Sequence, residues 1–411
     1  MRKLFLSLAF CPLFFTFTIQ AQTFGCTDPL ASNFNSAATV NDGSCVYDVT
    51  SVLPVTSTIL APVLSETSGL IFWNDLVWTH NDNTDLNLYA LDTTNGSIVD
   101  TFTLNGLANI DWEEISQDET YIYIGDFGNN ANGNRTNLKI LRIEKNALLL
   151  NAPVADTINF SYSNQTDFSP AGSNNTDFDC EAFIVSSDSI FLFTKQWISK
   201  QTSVYSLPKT PGTYTARLKT TYNVDGLITG ATYLPSKKLI ALCGYSNMLQ
   251  PFAYLLYDFS GYDFFGGNKR KMSLELPYHQ IEGIATHNGL YYYFTNEYFS
   301  RFKIIGSEQK LHLFDLSPYL SNYLNNQSAN TTEVTADNSI MIYPNPAKDI
   351  LSVTLNKAVS EKNYSIADIS GKIILSGFLQ NDSSNINIRK LKKGTYFLKI
   401  GPDHVITWVK N

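Results

Sequence analysis

Carboxylates recur at one kind of place in this chain. Asp111, Glu113 and Glu114 open the apolar segment WEEIS, Asp179 and Glu181 open CEAFIV, and Glu282 opens IEGIAT. Polar groups recur at a second place, where apolar segments end. His80 ends LVWTH with Asp82 just beyond, Asp126 ends YIYIGD with Asn129 beyond, and Lys195 ends SIFLFTK with Trp197 beyond. Tyr245 follows KLIALCG, and Asn296 ends LYYYFTN with Glu297 next. Carboxylates gathered from several segments suit a hard cation such as calcium, which takes oxygen ligands. A carboxyl group in such a cluster can instead give or take a proton. A third role is structural: a Glu at the start of a strand can accept backbone N–H groups of its neighbours and tie them together.

These residues converge only if the segments carrying them are arranged around one point. The segments are short, aromatic and β-branched, with Gly, Asn, Asp or Pro turns between them, which is the pattern of strands. Five share an opening: TSGLIF at Thr67, WEEIS at Trp112, CEAFIV at Cys180, TGATYL at Thr229 and IEGIAT at Ile281. With Ser68, Glu113, Glu181, Thr229 and Glu282 taken as equivalent, the spacings are 45, 68, 48 and 53 residues. Such periods suit four-stranded blades of a β-propeller. Five blades are expected; a sixth would have to lie in the long insertion around Asn159 to Phe178. The fifth repeat lacks a fourth strand, and VTSTIL at Val55 to Leu60 is expected to supply it, closing the ring and removing an exposed edge. First strands begin and second strands end on the same face. Glu113, Glu114, Glu181, Glu282, His80, Asp126, Lys195 and Glu297 are therefore expected around one mouth of the central channel.

Composition agrees with a sheet-rich fold. Of 411 residues, 13% are aromatic and 16% charged, and the net charge is −8. No basic block points to nucleic acid. No G-x-S-x-G elbow supports an α/β-hydrolase mechanism. Residues 1–21, with Arg2 and Lys3 before an apolar run and Ala21 at its end, read as a secretory signal. No later run is long and apolar enough to span a membrane. Residues 52–320 form the ring, 321–338 a polar linker, and 339–411 a small Ig-like β-sandwich of about seven strands.

Residues 22–48 are too few for a core of their own, so Cys26 and Cys45 are expected to pair. Asp28, Asn33, Asn35 and Asp42 offer oxygen atoms there, for calcium or for turns. Gly25–Cys45 resembles a short Cys-bounded, Asp/Asn-rich module of Bacteroidetes surface proteins, which implies a surface or secreted setting. Asp111 to Ile115, Asp179 to Ala182 and Ile281 to Ile284 loosely resemble the strand openings of calcium-dependent lactonase and phytase-like propellers. No cluster of basic residues matches a phytase site.

The C-terminal region carries Tyr343-Pro344-Asn345-Pro346 followed by Asp349, the turn from Asp368 to Lys372, and Leu391 before Gly394-Thr395-Tyr396-Phe397. In this it resembles the C-terminal sorting domain (type A-like) of the type IX secretion system of Bacteroidetes. The resemblance implies export to the cell surface or beyond, with the type IX machinery as a partner. Two functions follow as expectations. One is a binding or adhesion module with an unknown extracellular ligand. The other is a calcium-dependent hydrolase acting on a sugar, lactone or phosphoester at the channel mouth.

Overall fold

The computed structural model describes residues 22–301, 305–330, 340–344, 346–355, 362–368, 372–379, 383–400 and 404–411. The expected signal sequence lies outside them. The chain divides into two compact units, Met1–Leu324 and Asn325–Asn411.

In the first unit, twenty strands form five antiparallel groups of four. The first group is Thr67–Trp73, Leu76–Asn81, Asn87–Leu91 and Ile98–Thr103, and the second is Trp112–Gln117, Tyr121–Asp126, Lys139–Glu144 and Ala155–Tyr162. The third is Asp179–Val185, Ser189–Lys195, Thr202–Pro208 and Gly212–Tyr222, and the fourth is Leu227–Leu234, Leu239–Tyr245, Pro251–Tyr257 and Asn268–Leu274. The fifth is Ile281–Thr286, Tyr291–Asn296, Lys310–Asp315 and, from far upstream, Thr56–Ile59. The five first strands pack on one another in chain order, and the last packs on the first.

Because side chains alternate across a strand, each group buries one face against the group before it and the other against the group after it. Five apolar clusters result, one per junction. Ile71 and Trp78 meet Trp112 and Ile122, and Phe160 meets Phe183. Phe193 meets Leu242, Cys243 meets Phe294, and Tyr293 meets Leu70 and Tyr89. Central strands buried on both faces explain the near-continuous apolar runs of the sequence.

The ring closes as the missing fourth strand requires. Thr56–Ile59 pairs antiparallel with Lys310–Asp315, and the Ser57 hydroxyl meets His312 Nδ1 at 2.7 Å. Three features bear on the sequence reading. First, the fourth strands of the second and third groups join. Gly212–Tyr222 has eleven residues; Arg217–Tyr222 pairs within its own group, and Gly212–Ala216 runs parallel to Ile158–Tyr162. This covers an edge that would otherwise stay open. Second, residues 163–178, where a sixth blade would have begun, carry no strand. Third, the expected linker begins as a helix, Ser317–Asn330. Leu320 and Leu324, one turn apart, are buried in the cluster between the fourth and fifth groups, with Tyr319 and Tyr323 beside them. Only this narrow stripe is apolar, so the segment reads as polar in sequence.

The Cys26–Cys45 disulfide forms as expected. Cys180 and Cys243 are buried free thiols.

The second unit has a three-stranded sheet, Ile340–Tyr343, Ile350–Leu355 and Ser383–Asn387. Its other sheet orders Ile373–Phe378, Asn363–Asp368, Gly394–Ile400 and His404–Lys410. Leu351, Val353, Ile366, Leu398 and Trp408 form a separate core. Among the described residues these are seven strands, where about seven were expected.

Deleting residues 52–62 exposes the edge of Lys310–Asp315 and leaves its backbone groups unpaired. We expect the melting temperature of the first unit to fall by several degrees or more. An unchanged melting curve would show that closure contributes nothing.

Candidate functional site

In all five groups the pairing of first and second strands slips at the same place, near the start of the first strand. In four of them one residue is left without an opposite number: Glu113, Glu181, Thr229 and Glu282. A β-bulge turns its extra residue out of the regular alternation. The repeated position of the sequence is therefore the bulged position of the fold, and its side chains turn to the mouth.

There Glu113, Glu181 and Glu282 line a cavity of about 210 Å³. Six carboxyl groups surround it, Asp82, Asp111, Glu113, Glu181, Glu282 and Glu297, with Lys195, Trp197 and Tyr245. Lys195 is paired with Glu181, and its ammonium lies 4.8 Å from the Trp197 ring and 5.2 Å from the Tyr245 ring. Asp179 sits behind them: it accepts from Trp197 Nε1 at 2.7 Å and from the Asn129 N–H at 2.6 Å, fixing the indole. Gln280 donates to Glu297 at 2.7 Å. Just outside the first group's opening, Glu66 joins Asp82 and Glu297, with one oxygen of each within 4.8 Å of the others. Three carboxylates at that separation can hold a metal ion.

The electrostatics are one-sided. Burial, then Glu66 and Glu282, push Asp82 up to about 7. Burial pushes Asp111 to about 6 although Arg135 opposes it. Burial and Glu181 hold Glu113 well above the usual carboxylate range. Burial likewise raises Glu297, helped by Glu282. Glu181 is raised too, because burial and Glu282 outweigh the single ammonium beside it. Burial pulls Lys195 down, but Glu181 and Glu282 more than reverse this and keep it charged.

Three expected mouth residues lie elsewhere. Glu114 is fully buried at the ring axis. It accepts the N–H of Ile115 at 2.9 Å and of Ala231 at 2.7 Å, and that of Leu70 as well. Asp126 is buried under Arg135 at 2.7 Å and Lys139 at 3.2 Å, which neutralise it away from the cavity. His80 packs edge-on against Trp112, and burial pushes its pKa down to about 4, so it stays neutral.

The proposed calcium ligands of the N-terminal module each accept a backbone N–H. Asp28 accepts from Leu30 N–H, Asn33 from Val46 N–H, Asn35 from Ala37 N–H and Asp42 from Ser44 N–H. The other Asp28 oxygen accepts the hydroxyls of Tyr47 and Tyr257. These oxygens serve local structure.

Sequence reasoning missed Glu66 and Gln280. Both lie immediately before a repeated opening, so the signal was present one or two residues upstream of the position aligned.

Residues 341–410 match the family model described as a secretion system C-terminal sorting domain. No curated protein matches the chain. Among solved structures, the PQQ-bound aldose sugar dehydrogenase of Streptomyces coelicolor is 9% identical with a TM-score of 0.35, over 63% of this chain and 98% of that one. PorZ, a surface component of the type IX secretion system of Porphyromonas gingivalis, is 11% identical with a TM-score of 0.29, over 84% of this chain. This chain spans 45% of the PorZ structure's length. The WD40 repeats of RRP9 are 7% identical with a TM-score of 0.34, over 65% of this chain and 100% of that one. The sorting domain makes the type IX machinery a partner of this chain and places the protein at the cell surface or outside the cell. No helix among the described residues is long and apolar enough to cross a membrane.

Two outcomes are expected. Glu114→Ala strands buried N–H groups on three strands, which costs about 3 kcal/mol or more; Glu114→Gln keeps one acceptor and costs less. Equal melting temperatures for both variants and the parent would remove Glu114 from the scaffold. The second outcome concerns pH. Asp111 and Asp82 have folded pKa values raised to about 6 and about 7 from 3.8, so the fold carries no penalty from them below the lower value and a growing one as pH rises through the upper ones. In chelator, the melting temperature should fall from about pH 5 to about pH 8. A rise over that window would contradict the charge crowding.

Proposed function

We propose that the first unit is a five-bladed β-propeller, carried to the cell surface by the sorting domain, and that its mouth is a cation-assisted binding site for an extracellular ligand. One observation carries this reading: Glu66, Asp82 and Glu297 stand within metal-binding distance of one another, at the edge of a cavity where carboxylates outnumber the only lining cation six to one. Like charges this close stay ionised only if something offsets them. Lys195 does so on one side, beside Glu181. On the other side a hard divalent ion would, and calcium is the ion we assign: it accepts several carboxylate oxygens in irregular geometry. Extracellular modules commonly hold it at millimolar concentration. Gln280, holding one Glu297 oxygen, would orient that ligand from behind.

A hydrolase reading rests on Asp82 and Asp111, whose pKa values near neutrality suit proton transfer. The two nucleophile types beside them are engaged: Ser68 donates its hydroxyl to the Glu113 carbonyl at 2.6 Å, and Lys195 is paired with Glu181. Binding is therefore the function the geometry supports best.

About 2 mM calcium should raise the melting temperature by about 3 °C, the shift that about 2 kcal/mol of linkage gives a domain of this size. The effect should vanish in Asp82→Asn and Glu297→Gln. Absence of any shift in the parent protein would end the metal reading. Calcium-dependent turnover of a lactone, sugar or phosphoester, lost on Glu113→Gln, would replace binding with catalysis.

A further inference from the structure

Glu113 is the group in the mouth whose chemistry the cation does not settle. It is 6% exposed and lines the cavity, and no hydrogen bond reaches its carboxylate among the described residues. Its neighbours are other acids: Glu181, Asp111, Asp179 and Asp82. Lys195 and one divalent ion would offset three of the seven formal negative charges of the cavity and Glu66. A buried carboxylate facing open space with no donor is costly unless a guest supplies one.

The rim around it is apolar. Ile110, Ile198, Met248, Tyr278 and Tyr298 are all exposed, Met248 to 81%. Each lies one to three residues from a group that lines the cavity: Asp111, Trp197, Tyr245, Gln280 and Glu297 in turn. They come from loops beside the mouth in four of the five groups of strands. Two of their loops are tied together, the N–H of Tyr278 donating to Leu249 O at 2.9 Å. Tyr278 holds φ at +67° and Leu249 at +53°. A bulky residue rarely adopts that conformation, and where it persists the surroundings enforce it, often at a binding surface.

We propose that the mouth is a docking site for a basic peptide segment, whose lysine or arginine side chain enters the acidic cavity to meet Glu113 while the apolar rim covers the flanking residues. The molecule already contains a sample of the interaction: the Lys195 ammonium sits between a carboxylate and two aromatic rings in the same cavity. A cation held by carboxylates and covered by apolar surface is the arrangement of an interface anchor. Charge complementarity selects the guest, and the ring of apolar residues selects a peptide over a free ion. The inference rests on the mouth being a binding site, as proposed above.

The test is fluorescence anisotropy on the full chain, with a labelled heptapeptide carrying one central lysine between leucine and phenylalanine residues. A second peptide carries acetyl-lysine instead. The lysine peptide should bind saturably. Acetylation should weaken it about tenfold or more, and Glu113→Gln should do the same, since each leaves a buried polar partner unpaired. Met248→Ser, on the exposed rim, should weaken binding severalfold with an unchanged melting temperature. Equal binding of the two peptides, or binding untouched by a folded Glu113→Gln protein, overturns the proposal. No peptide binding alongside a calcium-dependent melting shift overturns this inference and leaves the cation reading standing. Loss of both removes the two together.

Discussion

Five strands brought side by side around one axis leave little room at the centre, and the structure turns on how that space is filled. The residue after each bulged position, or its equivalent, points there: Gly69, Glu114, Ala182, Gly230 and Gly283. One is a glutamate and four are small. A Cβ on Gly69 would come within 2.6 Å of Glu114 Oε1, and one on Gly230 within 3.3 Å of Glu114 Oε2. Gly283 is closed in as well, with Leu70 Cγ 2.7 Å from where its Cβ would stand. Gly69 also holds φ at +56°, a conformation costly for other residues. The small residues thus make the pocket that Glu114 fills, and its carboxylate binds N–H groups of the first, second and fourth groups at once. A carboxylate buried this deeply is tolerated because backbone donors surround it.

The same geometry explains which parts of the site could be read from sequence. The period of the openings located Glu113, Glu181 and Glu282 at the mouth because a bulge recurs wherever the opening recurs. It could not separate Glu113 from Glu114. Adjacent glutamates look alike as letters, and only the bulge decides that one meets the cavity and the other the axis. Asp126 misled for a related reason. Its position at a strand end was right, but Arg135 and Lys139 arrive from a loop and from the next strand and claim it. The fold itself was more legible than the site. Alternation and turns gave the strands, and the unpaired fifth repeat implied the closing strand. The parallel seam between Gly212–Ala216 and Ile158–Tyr162 had no signal, since pairing between two fourth strands depends on how far one overhangs.

Bulges also carry an energetic consequence. Each one gives up a ladder position, and three of them turn a glutamate into a partly closed space. The raised carboxyl pKa values point the same way, since burial and neighbouring acids disfavour the ionised state. A ring that needed only stability would place Ser or Thr at every equivalent position, as it does at Ser68 and Thr229. Those two donate to the backbone carbonyls of Glu113 and Ile281 in the next first strand and need no counter-ion. The three glutamates give up that bond for charge at the mouth. Stability is commonly spent in this way where a site is built.

The small disulfide module completes the argument about where charge is structural and where it is not. Its polar groups are as dense as those of the mouth, yet they answer local demands. Asp28 holds the Tyr47 and Tyr257 hydroxyls, and Asn41 reaches Asp258 and Asn268, both at 2.9 Å. Arg270 lies between the rings of Tyr47 and Tyr319, at 4.9 and 4.5 Å, so the module, the fourth group and the Ser317–Asn330 helix are clasped through one guanidinium. Two of its nitrogens have no hydrogen-bond partner, which leaves the ring faces as their main compensation. Polar residues in this module are matched donor to acceptor. Those of the mouth are not, and that mismatch, rather than acidity alone, separates a fastening from a site.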